Sequence, residues 1–277
     1  FKYFYVLWLY LRVNYFDKKM GIILLSKFQL EQYENDGYVI PDFKMPEDLL
    51  KKIEERHDKL LEIHPEFKNY CPAILHYDEN FLEFCNNEMI LNYVEQILGP
   101  DFALWNSSFF AKPPIDGHAT PWHQDGQYWP IKPLATCTVW LAIDDANIEN
   151  GCLRFIKGSH KDKKLKTHNI NNNKKLTLNQ ELAKTEYNEK DAVYLTLKRG
   201  QISLHDVYLV HGSEANKSSM ARRAITMRFM PTSSVFDHQM VKDKSLFSKL
   251  NASKYQDRKI YHMRGKDISG KNNLTYI

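Results

Sequence analysis

The sequence predicts a mainly β protein with flanking α-helices, a sandwich or jelly-roll barrel with helices laid over one of its sheets. Three observations carry this prediction. The first hundred residues contain segments with helical periodicity and matching start and stop residues. After Pro100 the chain changes to short β-branched and aromatic runs bounded by Gly, Pro, Asn and Asp. Those runs follow one another with turns between them and do not alternate with helices, which speaks against βαβ units. A chain of 277 residues fits one large domain, and hydrophobic and aromatic shares of 43% and 13% supply a core.

The elements can be justified in order. Residues 1 to 16, "FKYFYVLWLYLRVNYF", are apolar but carry Lys2, Arg12 and Asn14, so they fall short of the ~20 clean apolar residues of a spanning helix. They also lack the order of regions found in a signal peptide. Residues 1 to 19 are therefore expected to be an extension outside the functional domain. No stable membrane insertion is expected, although such a segment leaves association with a membrane surface open. "SKFQLEQYENDGY" (26 to 38) opens on a Ser cap and stops at Asp36-Gly37. "PEDLLKKIEERHDKLLEIHP" (46 to 65) starts with Pro46 and two acids, then repeats apolar residues at helical spacing. "NEMILNYVEQILG" (87 to 99) is a third helix closed by Gly99.

The strand candidates are "FALWNSSFFAK", "ATCTVWLAID", "GCLRFIKG", "AVYLTLKRGQISLHDVYLVHGS" and "RRAITMRFMP". A polar, Lys/Asn-rich stretch, residues 161 to 192, interrupts them. So long an insertion reads as a lid over a site or as a solvated loop. The expected organisation is one domain over 20 to 277: a helical part at about 26 to 100, a jelly-roll core at about 101 to 232, and a tail from 233 to 277.

Charge and cysteine content narrow the function classes. Lys and Arg total 38 against 34 for Asp and Glu, and no basic stripe is dense enough to track a phosphate backbone, so nucleic acid is not an expected partner. Cys71, Cys85, Cys137 and Cys152 show no CxxC spacing and read as thiols of a reducing, cytoplasmic compartment.

The chemistry-bearing stretch is "PWHQDGQYWP" (121 to 130). On a strand, His123 and Asp125 would share one face, unless the chain is already turning there. By themselves they are as consistent with a polar turn as with a metal site. "LHDVYLVHGS" supplies His205 and His211, six apart and on one face of a regular strand. Two histidines and one carboxylate on one side of an octahedral metal would form the facial triad of non-haem Fe(II) oxygenases. Such an enzyme can use 2-oxoglutarate as electron donor, and an arginine is suited to hold its far carboxylate bidentately. Arg222 stands eleven residues after His211. Arg222, Ala224, Thr226 and Arg228 would share one face of the next strand.

Taken together, "AKPP", "WHQDGQYWP", "GCLRFIKGSHK" and "HGSEANKSSMARRA", with "QYENDGY" before them and "YHMRGKD" after them, resemble the phytanoyl-CoA dioxygenase family of Fe(II)/2-oxoglutarate-dependent oxygenases. The resemblance runs from about Phe28 to about Gly265. It implies a double-stranded β-helix, a cupin-like jelly roll, with His123, Asp125 and His211 as iron ligands and Arg222 as the 2-oxoglutarate clamp. It also implies cosubstrate contacts from Gln124, Ser213 and, allowing a one-residue gap, Trp140. Halogenating relatives carry a small residue where Asp125 stands, so its presence favours oxygenation.

His205 competes with His211 as a ligand, but only His211 has the "HGS" context and the arginine eleven residues on; His205 is expected beside the site or toward substrate. Gln127, Tyr128 and Trp129 follow the ligand pair and, with Arg228, are candidates to touch substrate. Arg154 reads equally as a residue facing the barrel interior and as a salt bridge on the sheet exterior. The expected activity is hydroxylation of a C–H bond of a small-molecule metabolite using Fe(II), 2-oxoglutarate and O2, with succinate and CO2 as coproducts. The alternatives are a non-enzymatic jelly-roll metal-binding protein and an oxygenase acting on an acyl-CoA thioester.

Overall fold

The computed structural model describes residues 24–239 and 257–277; the expectation for residues 1 to 19 lies outside them. Three longer helices come first. α1 (Lys27–Asp36) begins with a reciprocal capping box between Ser26 and Gln29 and ends at Gly37, whose φ of 86° is the left-handed conformation open to glycine. α2 (Glu47–Ile63) follows Pro46 and buries Leu50, Ile53, His57 and Leu60. Two single-turn helices, α3 (Ile74–Tyr77) and α4 (Leu82–Cys85), lead to α5 (Glu88–Leu98), where Asn87 caps the amides of Met89 and Ile90.

Two sheets face each other. The larger comprises β1 (Tyr38–Val39), β2 (Tyr70–Cys71), β3 (Phe102–Lys112), β6 (Cys137–Ala142), β11 (Ile202–Asp206), β13 (Arg222–Pro231), β15 (Ile260–Arg264) and β16 (Leu274–Tyr276). Its order is β1-β11-β6-β13-β3-β15-β16, with β2 also on β3. The smaller runs β10-β7-β12-β4, from β4 (Thr120–His123), β7 (Leu153–Ile156), β10 (Ala192–Leu195) and β12 (His211–Ser213). This is the jelly-roll architecture, with helices against the outer face of the larger sheet.

Strand periodicity decides what each residue meets. On β6 and β13, Val139, Leu141, Ile225, Met227 and Phe229 pack in the cluster shared with the helices. Trp140 and Ala224, the residues between, pack in the cluster shared with Leu153 and Phe155 of the smaller sheet. The same alternation splits adjacent arginines. Arg223 points toward the helices and pairs with Asp144 at 2.9 Å and with Glu54, while Arg222 points inward and is 1% exposed.

A β-bulge on β3 completes the inner wall. Arg228 pairs with Asn106 but Phe229 pairs with Leu104, so Trp105 is the extra residue. Phe102 and Leu104 therefore pack toward the helices, whereas Asn106 and Phe110 line inner cavities. Without the bulge these even-numbered residues would all face one way.

One expectation is corrected. The stretch from 233, read as a tail, contributes β14 (Val235–Phe236), which pairs with β5 (Ile131–Lys132), and β15 and β16, which extend the larger sheet beyond β3. Its strands are short and separated by polar residues, so they carry little periodic signal. The insertion, left open as a lid or a solvated loop, is exposed over much of its length, but β8 (His168–Ile170) and β9 (Gln180–Leu182) form a hairpin within it and Leu182 packs with Trp122 and Val210. Among the described residues no helix is long and apolar enough to cross a membrane.

Candidate active site

The site lies between the sheets and is built from both. In the smaller sheet, His123 at the end of β4 is directly opposite His211 at the start of β12, with ring centroids 4.1 Å apart. Gly212 permits this close pairing: a Cβ there would stand 3.1 Å from the Thr120 carbonyl oxygen and 3.2 Å from the Trp122 nitrogen. Asp125 is not on the strand. Gln124 is still extended, but the chain turns at Asp125 into the short 3-10 helix Asp125–Tyr128, and that turn carries the carboxylate to the two imidazoles. The Asp125 Oδ1 is 3.6 Å from His123 Nε2 and 4.0 Å from His211 Nε2. One donor atom from each of the three residues lies within 4.8 Å of the other two.

Hydrogen bonding settles which nitrogens face the centre. His123 Nδ1 is 2.8 Å from the Pro121 carbonyl and His211 Nδ1 is 2.9 Å from the Leu209 carbonyl. A carbonyl only accepts, so both Nδ1 atoms carry hydrogen, and Nε2 is the ring nitrogen of each that is turned to the centre. Burial holds His211 well below the usual imidazole range, and the neighbouring His123 adds to this. Burial alone would raise the Asp125 carboxyl, but the Arg228 guanidinium and contacts with His123 and His205 outweigh it and hold it well below the usual range. Thr138, two residues before Trp140 on the inner face of β6, donates its hydroxyl to Asp125 Oδ2 at 3.2 Å. Two imidazoles and one oriented carboxylate are the donor set of a divalent metal with open positions.

His205 and His211 do not share a strand. β11 ends at Asp206, and the chain crosses to the smaller sheet before His211. Both still face the interior, with centroids 5.0 Å apart. His205 Nε2 is 3.6 Å from Asp125 Oδ2, and neither of its ring nitrogens has a hydrogen-bond partner.

The three donors line a narrow cavity of about 20 Å³ whose wall also includes Trp140, Ser213 and Arg222. The Arg222 Nε and Nη1 and the Ser213 Oγ are buried without partners. The Arg222 guanidinium carbon is 5.5 Å from the Trp140 ring centroid. Among the described residues no carboxylate pairs with it, and burial lowers its pKa to about 10. A buried fork of unmet donors beside a metal-type centre is suited to an anion.

A second cavity, of about 70 Å³, shares Phe110, His123, Asp125 and Arg228 with the first and adds Trp129, Leu178 and Gln180. Leu178 and Gln180 come from the insertion and had no motif to announce them. Gln127 is in the wall of neither cavity, and Tyr128 shares its turn. Gln124 contributes its side chain elsewhere than expected. Its amide group donates to the carbonyls of Lys164 (3.0 Å) and Tyr208 (2.7 Å), and its oxygen accepts from the Lys166 amide (2.7 Å). All of its side-chain bonds are spent on backbone, most of it in the insertion. Arg154 lies on the outer side of the smaller sheet, paired with Glu189 and Glu214 at 2.9 Å each.

Comparison with known proteins agrees with this geometry. A human protein, peroxisomal phytanoyl-CoA dioxygenase, is 32% identical over 158 residues, covering 55% of this chain and 46% of that one. A Caenorhabditis elegans phytanoyl-CoA dioxygenase domain-containing protein 1 homolog is 32% identical over 164 residues, covering 56% of each. The chain thus spans about half the length of the curated relatives it matches. Among solved structures, the non-haem α-ketoglutarate-dependent carbocyclase SnoK from nogalamycin biosynthesis superposes with a TM-score of 0.64 at 20% identity, over 82% of this chain and 91% of that one. The model of the phytanoyl-CoA dioxygenase family matches residues 25–224, well over half of the sequence, and the chain belongs to that family.

Proposed function

We propose that the protein is an Fe(II)- and 2-oxoglutarate-dependent dioxygenase that hydroxylates a C–H bond of a small-molecule metabolite, releasing succinate and CO2. The observation that carries this reading is the pairing of two incomplete sites in one cavity. His123, Asp125 and His211 converge three donors, and beside them Arg222 and Ser213 hold unmet, buried hydrogen-bonding groups. A structural metal site would account for the first and leave the second unexplained. The family membership and the cofactor named for SnoK support the same reading.

The iron, once bound, would activate O2 at the expense of the oxidative decarboxylation of 2-oxoglutarate. The chain supplies everything around that chemistry. His123 and His211 are held in one tautomer by backbone carbonyls, so their Nε2 atoms are ready as ligands. Thr138 fixes the orientation of Asp125. Arg222 and Ser213 receive the far carboxylate, and the Trp140 face closes the space beside the guanidinium. The insertion, through Leu178 and Gln180, covers the second cavity and limits the access of water. The four cysteines are buried and unbonded to one another, which suits a reducing compartment.

The test is spectroscopic. Under anaerobic conditions, Fe(II) and 2-oxoglutarate together are expected to give the weak visible charge-transfer band of a chelated ferrous centre, and His211→Ala is expected to lose it. If wild-type protein gives no more absorbance than His211→Ala, the enzyme reading fails.

A further inference from the structure

Once an anion is assigned to Arg222, the cavity still contains a second buried guanidinium. Arg228 is 5% exposed and stands two turns of the strand repeat beyond Arg222's neighbour Ala224, on the same inner face of β13. Its Nη1 donates to Ser108 Oγ at 2.7 Å, and its Nη2 is 3.8 Å from Asp125 Oδ1. Its Nε has no partner. That Asp125 oxygen is also the one facing His123 and His211, so it belongs to the metal centre and is not free to neutralise Arg228.

Charge counting then decides what is missing. A ferrous ion brings two positive charges and Arg222 one; Asp125 and the dianionic cosubstrate bring three negative charges. These cancel. Arg228 is left as a buried cation without a countercharge of its own, and an anion beside it would offset the cost of its burial. Apart from Asp125, already counted with the metal centre, no described residue lining the second cavity carries a negative charge. The guanidinium carbon sits 5.2 Å from the Trp129 ring centroid, so an anion on Arg228 would have an aromatic face beside it.

We propose that the substrate is a small organic acid whose carboxylate binds Arg228 while its apolar body lies against Phe110, Trp129 and Leu178. This rests on the oxygenase reading above and deepens it. It disfavours an acyl-CoA thioester, because the thioester end of such a molecule is neutral and would leave Arg228 unpaired. Binding at Arg228 puts the carbons nearest the carboxylate beside Asp125, and hence within reach of the metal centre.

The experiment is calorimetry on the full chain loaded anaerobically with Mn(II) and 2-oxoglutarate. Hexanoate, 3-phenylpropanoate and indole-3-acetate are each titrated against the corresponding primary amide. The expected result is that at least one acid binds about tenfold or more tightly than its amide, the scale of a charge-assisted hydrogen bond. Arg228→Gln should erase that preference, and Arg228→Lys should restore part of it. Equal binding of acid and amide, absence of binding by every acid, or an acid preference that survives in Arg228→Gln would each overturn the proposal. So would loss of Mn(II) affinity in Arg228→Gln, which would make Arg228 a positioning residue for Asp125. Failure of wild-type protein to bind Mn(II) and 2-oxoglutarate at all would sink the oxygenase reading itself, and is read before any acid is added.

Discussion

Arg222 and Arg228 are the rear and the front of one cavity, and they are prepared for their anions differently. Both lie on the inner face of β13 and both are buried. Arg222 has a ring beside it and two nitrogens without partners. Arg228 is tied to Ser108 and leans toward Asp125. The rear is thus left unsatisfied by the protein and is completed from outside, whereas the front is partly completed by the protein itself. The contrast implies that the rear is specific and costly to the empty protein, and that the front can be retuned at smaller cost.

The sharpest test of this contrast is Arg222→Met. A cation whose folded pKa is lowered destabilises the folded state at every pH below that pKa, so at neutral pH the cost is fully present. With the pKa lowered from 12.5 to about 10, Arg222→Met should raise the stability of the ligand-free protein by up to about 3 kcal/mol. The same variant should lose roughly 2 to 5 kcal/mol of 2-oxoglutarate affinity, because the far carboxylate is left buried without its partner. Denaturant unfolding with and without 2-oxoglutarate reads both. A ligand-free protein that becomes less stable would show that Arg222 is already satisfied.

At the front the sign reverses. Ser108→Ala removes the hydroxyl that accepts from Arg228 Nη1, and a buried hydrogen bond to a charged group contributes about 1.5 to 3 kcal/mol. Ser108→Ala should therefore destabilise the ligand-free protein by that amount while changing 2-oxoglutarate affinity by no more than a few-fold. Equal losses of stability and cosubstrate affinity would erase the distinction between the two ends. A smaller effect is expected from Gln124→Ala. It removes three hydrogen bonds that tie residues 164 to 166 and Tyr208 to the segment between His123 and Asp125. Faster hydrogen exchange at the Lys166 amide, with near-normal cosubstrate binding, is the expected outcome.

What was legible in the sequence follows the same division. The rear was readable because the family resemblance marks Arg222 and Ser213 and the regular period of β13 puts Arg222 and Arg228 on one face. The three longer helices were readable through caps and apolar spacing. The front was readable only in Asp125, Trp129 and Arg228, because three irregularities build the rest of it. The bulge at Trp105 reverses which residues of β3 face inward. The turn at Asp125 ends the strand one residue early. The insertion returns Leu178 and Gln180 to the cavity through a hairpin whose polar composition resembles a solvated loop. Gln124 illustrates the cost: a residue between two candidate ligands reads as a site residue, yet its partners are backbone groups dozens of positions away in the chain. His205 is similar, since its six-residue spacing from His211 spans a change of sheet that periodicity does not reveal.

The smallest expected effect concerns how the front is held shut. His168, in β8, accepts a hydrogen bond from the Gln124 amide at its Nε2 (3.0 Å), so its Nδ1 keeps the hydrogen and donates to the Lys166 carbonyl (2.8 Å). The imidazolium could not make the first of these bonds, and burial accordingly lowers the pKa to about 4. In the unfolded chain an ordinary histidine titrates near 6.5, so as pH falls the unfolded state takes up the proton first. The stabilisation is complete above about 6.5 and is lost progressively as pH falls toward about 4. His57, stacked on Phe109 at 3.8 Å and also lowered to about 4, imposes the same dependence from the helical side of the larger sheet. The two can be separated. His168→Gln should flatten the acid slope of stability by up to one proton and abolish the pH dependence of hydrogen exchange at the Gln124 amide, whereas His57→Gln should flatten the slope and leave that exchange unchanged. If the Gln124 backbone amide exchanges with the same pH dependence in all three proteins, the insertion is not held through His168, and the front closes by the Gln124 side-chain bonds to Lys164 and Lys166 and the packing of Leu182 against Trp122 and Val210.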